Sequence, residues 1–241
     1  MRYLLILLLA FCAEAVTAAE PHPQYRMSAL QAGASDVADA DEEERADTVD
    51  SWLADAEQAL DLGRYKTARS EYRKVVKEMP THQAGARGLA ETNAQTGDYK
   101  AAIKGLEACI KAVGEKVEPA TLALLGRLQI VVGDYAAAEA TGKLLADNAA
   151  AEAKAGGGRT DVIAGAVDGH ALKGHVYRLR GMYDAAKLEY ESVRQVVGAL
   201  RGNAMKIDKA LGRQPAVADL WCSAGEAYFW LNRLHDANDC W

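Results

Sequence analysis

The residues from which chemistry would have to come are five histidines, four cysteines and a run of three glycines. His170 and His175 stand five apart, about 140° around a helix, so they cannot share a metal as an i,i+4 pair would. His235 and Asp239 do stand four apart, but no third ligand lies near them, and zinc takes three or four. Gly156-Gly157-Gly158 invites a phosphate-loop reading. No strand pattern precedes it and no Gly-Lys-Ser/Thr follows, so it reads as a flexible connection. Cys109, Cys222 and Cys240 show neither CxxC nor His/Cys ligand spacing. Cys109 falls on the apolar stripe of a helical pattern, where a small buried thiol is expected. No GxSxG, HExxH or kinase set is present. The expectation is a chain without catalytic residues, metal or cofactor.

The elements that position these residues repeat. Trp52 opens an alanine-rich helical pattern, Gly63-Arg-Tyr65 interrupts it, and a second helical pattern with Ala68, Tyr72 and Val75 runs to Pro80. The Gly-x-Tyr turn returns as Gly97/Tyr99, Gly133/Tyr135 and Gly181/Tyr183, the first intervals being 34 and 36 residues. An alanine stands three past each tyrosine: Ala68, Ala102, Ala138 and Ala186. A fixed period of this length marks a repeat architecture. Gly126, Gly174, Tyr177 and Tyr190 keep equivalent helical positions, and the last unit carries Trp221, Gly225, Tyr228 and Ala237, with Asn232-Arg-Leu234 in place of the turn.

Together these residues resemble the tetratricopeptide repeat family over roughly residues 49–241. The resemblance implies an all-α fold, a right-handed superhelical solenoid of stacked antiparallel helix pairs with about four and a half repeats. The units span about 49–82, 83–118, 119–166, 167–217 and a truncated 218–241. Asp50 or Ser51 is expected to cap the first helix, and Pro119 to start the third unit, where its missing amide costs nothing. The sequence departs from the family at Ala86 and Gly142, where aromatics are usual, and at Gly114, where the terminal proline is usual. The interval from Gly133 to Gly181 is 48 residues. Its excess falls in ADNAAAEAKAGGGRTD, read as an extended second helix ending at the glycine run. Cys222 and Cys240 fall on facing helices of the last unit, and a disulfide between them is left open.

In such a solenoid the first helix of each unit lines the concave face. The inner-face positions are Leu53/Glu57, Arg87/Glu91, Ala123/Arg127, Ala171/His175 and Cys222/Glu226, followed a turn later by Arg178 and Phe229. The partner-binding groove is therefore assigned to Arg87, Glu91, Arg127, His175, Arg178, Glu226 and Phe229. Arginine forks suit carboxylates, so an acidic segment is one reading of the ligand; ordinary surface pairing, such as Arg87 with Glu91, is the other.

The totals bound the rest. The net charge is −6, and residues 36–50 hold eight acids against Arg45, so the remainder is nearly neutral and makes no basic footprint for nucleic acid. Residues 20–48, with Pro21, Pro23 and DADEEERAD, are expected to be a disordered or weakly helical acidic leader. Residues 1–19 read as a secretory signal peptide: Arg2, then YLLILLLAFCA, then small residues. That run is short for a bilayer span. An uncleaved anchor and acylation at Cys12 are the competing readings. The expected location is periplasmic or secreted. The expected function is a non-catalytic scaffold binding a protein or peptide. The alternative is the front interaction module of a larger envelope enzyme, such as a hydrolase, continuing past residue 241. A solenoid ending on Cys240 and Trp241 would lack a polar cap, so self-association through that end is expected.

Overall fold

The computed structural model describes residues 32–154, 160–201 and 225–240. It contains α1 (Ala32–Asp61), α2 (Tyr65–Glu78), α3 (Gln83–Gln95), α4 (Tyr99–Val113), α5 (Pro119–Val131), α6 (Tyr135–Lys154), α7 (Thr160–Leu179), α8 (Tyr183–Arg201), α9 (225–230) and α10 (Leu234–Cys240). No strand occurs among the described residues. The fold is all-α, built from consecutive antiparallel helix pairs. Expectations that fall on residues 1–19, Gly156 to Gly158, Trp221 and Cys222 lie outside the described residues.

One turn is used five times. In each, the amide after the helix's last residues folds back in a Schellman arrangement: Gly97 N–H donates to Ala94 O at 2.9 Å and Asp98 N–H to Asn93 O at 2.8 Å. The pair recurs at Gly63, Gly133 and Gly181, and at Asn232. The motif demands a left-handed residue. Gly97 has φ +80° and Asn232 φ +58°, so asparagine, the side chain that best tolerates this region, stands in for the fifth glycine. Tyr65, Tyr99, Tyr135 and Tyr183 are each the first residue of the following helix. Ala68, Ala102, Ala138, Ala186 and Ala237, three residues on, are all buried.

The chain divides into two compact units, separated near Val113. In the first, Ala56 and Ala59 of α1 meet Ala68 and Tyr72 of α2. The tip of the Tyr72 ring presses on α3 at Gly88: a Cβ there would stand 2.2 Å from the ring, so glycine admits the approach. Burial, with Glu57, Glu91 and Asp61 nearby, pushes the Tyr72 hydroxyl up to about 12. Cys109 is buried, as its stripe predicts. One expectation is corrected here: Asp50 and Ser51 lie inside α1 rather than capping it. Residues 32–48, expected as a disordered or weakly helical leader, fall within the helical span Ala32–Asp61.

In the second unit α7 packs on α5, α6 and α8. Pro119 opens α5, as expected. Gly126 sits under Leu172, and Gly142 and Gly169 form a close backbone crossing of α6 with α7. Gly142 is therefore covered by a neighbour. The expected extended second helix is present, α6 running to Lys154 just ahead of the glycine run, but it does not take up the 48-residue interval alone. α6 and α7 are both 20 residues, against 13 for α5, and α7 starts at Thr160, ahead of the expected boundary at 167. Beyond it, Val167, Ala171, Ala186, Tyr190, Val193, Ala227, Tyr228 and Ala237 form one core through α7, α8, α9 and α10.

Candidate functional site: a cleft against α7

The second unit contains a cleft of about 410 Å³. Its walls come from α5 (Ala123, Arg127, Ile130), α7 (Asp168, Ala171, Leu172, His175, Arg178) and α9 (Glu226, Trp230). The period of α7 explains the convergence. Asp168, Ala171, Leu172, His175, Arg178 and Leu179 recur at steps of three and four, so they share one face. Small residues at 123 and 171 keep the floor low, and Leu172 supplies its apolar surface.

His175 is the centre of a chain of hydrogen bonds. Its Nδ1 stands 3.0 Å from the Tyr190 hydroxyl, and its Nε2 stands 2.8 Å from Glu226 Oε2. With Tyr190 donating to Nδ1, the neutral ring donates Nε2–H to Glu226, and both nitrogens are engaged. Burial pushes the Tyr190 hydroxyl up to about 12, against a lowering hydrogen bond from Arg178. The Glu226 carboxyl is held below its ordinary value, first by the His175 hydrogen bond and then by the charges of Arg178 and Arg127. The Arg178 guanidinium also stacks on the Trp230 ring at 4.0 Å, and its Nε is buried without a hydrogen-bond partner.

Two further clusters hold α7 in place. His170 Nδ1 and Lys173 Nζ each approach Glu189 of α8 at 2.7 Å. Burial opposes ionisation of that carboxyl, but the two hydrogen bonds outweigh it and lower its pKa. On the other flank the Tyr177 hydroxyl donates to Glu139 at 2.9 Å and Arg180 pairs with the same carboxylate at 2.6 Å. His170 and His175 thus serve different clusters. Among the described residues no group of three potential metal ligands assembles.

Of the seven residues assigned from sequence, Arg127, His175, Arg178 and Glu226 line this cleft. Arg87 and Glu91 belong to the first unit. Phe229 packs edge-on against Trp230, with centroids 5.2 Å apart, and is not among the lining residues. Asp168 and Glu226 stand against Arg127 and Arg178, so the lining charges balance. Sequence reasoning passed over Trp230 and Asp168. The signal for Asp168 was its place seven residues before His175, on the same helical face.

Residues 59–115 match the tetratricopeptide repeat family. No curated protein matches the chain. Several solved structures align with the chain. The Cut9–Hcn1 hetero-tetramer of the APC/C aligns at 15% identity and TM-score 0.50, over 87% of this chain and 35% of that one. TTC0263, a thermophilic TPR protein of Thermus thermophilus, aligns at 17% identity and TM-score 0.48, over 80% and 87%. The MamA protein aligns at 18% identity and TM-score 0.47, over 81% and 88%. The matched segment and the helix-pair fold support a tetratricopeptide-repeat protein.

Proposed function

We propose that this chain is an exported, non-catalytic scaffold that takes hold of a protein partner, gripping a segment of it in the α5–α7–α9 cleft. The observation that carries this reading is the cleft's make-up. Leu172, Ile130 and the half-exposed Trp230 offer apolar anchorage, while balanced charges along the lining set orientation. The charge balance favours a segment that inserts apolar side chains over one that is simply acidic. The state of His175 supports a binding role: a base with both nitrogens engaged has no free position for substrate. The order Arg2, apolar run, small residues supports export.

The test is selection from a random-peptide display library, with the native chain and an Arg127→Ala/Trp230→Ala variant as baits. The native chain should enrich a family of sequences with recurring apolar anchors, and the variant should lose them. No enrichment by the native chain, or the same peptides held equally well by both, would refute the cleft. N-terminal sequencing of protein recovered from outside the cytoplasm tests export. A start after Ala18 or Ala19 is expected, and one at Met1 counts against the signal.

A further inference from the structure

A second surface lies in the first unit, on the outer side of α2. That helix turns Ala68, Tyr72 and Val75 inward. Its opposite face carries Lys66, Arg69, Ser70, Arg73, Lys74 and Lys77 around a shallow groove of about 250 Å³. At about 100° per residue these side chains fall within an arc of about 140°. Lys66, Arg73 and Lys77 fall within about 40° and form a crest roughly 16 Å long. Among the described residues no acid lines the groove. Lys74 reaches Glu71 at 2.5 Å, and Arg69 donates to the Thr96 hydroxyl. The three crest residues are exposed, and among the described residues none of them makes an ion pair. Three carboxylates of the unit, Glu57, Asp61 and Glu91, stand instead near the Tyr72 hydroxyl, on the inward side of the helix.

The fold does not require this charge. Three further helices open on the same tyrosine, so the crest positions can be read across the repeats. α4 carries Lys100, Glu107 and Lys111 there, α6 carries Ala136, Lys143 and Asp147, and α8 carries Asp184, Glu191 and Gln195. Positions that accept lysine, alanine and aspartate in turn are under no packing demand. On α2 the charge even works against the helix. Arg69 with Arg73, and Arg73 with Lys77, are like-charge pairs at i,i+4, which repel. An anion outside the unit would relieve that repulsion.

We propose that the outer face of α2 docks the first unit on an anionic lipid surface. Its shape favours that partner. One helix supplies the whole lining, so the face is a ridge without the second wall that would clasp a peptide or a nucleotide. It offers no aromatic platform for stacked bases. A layer of mobile headgroup phosphates meets such a ridge along its length, and each long cationic side chain finds its own anion. A basic cluster of this size on an amphipathic helix suits acidic lipid. Trp52, partly buried with the Lys74 ammonium 5.8 Å from its ring, adds beside the ridge an indole of the kind that favours the headgroup layer. The contact is electrostatic rather than inserted, because the apolar side of α2 is already buried within the unit.

Co-sedimentation of the full chain with vesicles tests this. At about 0.1 M salt, where the screening length is about 10 Å, vesicles of phosphatidylglycerol and phosphatidylcholine in equal parts should take up the chain. Vesicles of phosphatidylcholine alone should not. Salt at about 1 M, where that length falls to about 3 Å, should release it. Each cation near the surface contributes about fivefold, so Lys66→Gln/Arg73→Gln/Lys77→Gln should bind about a hundredfold more weakly. Lys66→Arg/Arg73→Lys/Lys77→Arg, which keeps the charge, should bind as the native chain does. Neutralising α4 instead, in Lys100→Gln/Lys104→Gln/Lys111→Gln, should leave binding within about fivefold. Peptide capture by the cleft is a separate readout and should survive in all three. A native chain that ignores the acidic vesicles overturns the proposal. So does uptake by both kinds of vesicle alike and in 1 M salt, as insertion of the apolar residues 3–13 would give. A neutral α2 triple, folded by circular dichroism, that binds as the native chain does overturns it too, as does equal loss in the charge-keeping or the α4 triple. Retention on duplex DNA or polyglutamate by a chain that ignores acidic vesicles would assign the face to another polyanion instead.

Discussion

Two glycines with opposite surroundings separate packing from propensity. At Gly169 a Cβ would stand 2.7 Å from Ala146 N and Gly142 O, both backbone atoms of α6 that no side-chain rotation can move. Gly169→Ala should therefore cost about 1–3 kcal/mol by forcing α6 and α7 apart. Gly105, inside α4, has nothing within 4 Å of its absent Cβ. Gly105→Ala should stabilise by roughly 0.5–1 kcal/mol, the helix-propensity gain alone. Urea midpoints of the two variants should move in opposite directions. Glu226 supplies a prediction in pH. His175 and Arg178 hold its carboxyl below the ordinary range, so its contribution to docking α9 on α7 is present above the unfolded carboxyl pKa and is lost as pH falls through the lowered folded value. Acid titration followed by tryptophan fluorescence should show this loss on the acid side of the ordinary glutamate range. In Glu226→Gln that acid transition should flatten; an unchanged profile would show that the carboxylate does not hold α9.

The helix pairs were legible because their signals are local. Glycine or asparagine in the left-handed turn, a tyrosine opening the next helix and an alanine at the crossing each act within six residues. The Asp of Gly-Asp-Tyr adds a cap: Asp98 and Asp134 side chains accept from Ala101 and Ala137 amides at 3.1 Å. Asp134→Ala should cost about 1 kcal/mol, with faster amide exchange confined to the start of α6; an effect spread through α5 would contradict a purely local cap. What sequence did not reveal depends on neighbours. The Gly142–Gly169 crossing joins two helices whose relative register has no local signature, and it lets α6 and α7 both run to 20 residues. The start of α1 was hidden because acid-rich composition argued for solvated chain, while the helix carries straight on to Asp61. At the cleft, inner-face spacing singled out Arg127, His175, Arg178 and Glu226, which the structure brings to one lining. It could not show that Glu226 pairs with His175, a contact that spans 51 residues.

At the scale of the second unit, α7 is the shared wall. It touches α5, α6 and α8, Leu172 fills the notch at Gly126, and Val167 and Val176 are fully buried. In a stack where each helix meets only its neighbours, most damage should stay local, with α7 the exception. Val167→Pro removes a backbone donor and clashes with the preceding turn at a cost of about 3 kcal/mol or more. The break falls midway between the Gly165 contact with Pro119 of α5 and the Glu189 clamp at His170. Hydrogen exchange should then show α5, α6 and α8 losing protection together, in contrast to the confined change in Asp134→Ala. The cleft should fail with them, because six of its lining residues ride on α7. If Val167→Pro left α5 protected and peptide capture intact, the cleft would be held by α5 and α9 without α7, and the helix that joins repeat to binding face would have been wrongly chosen.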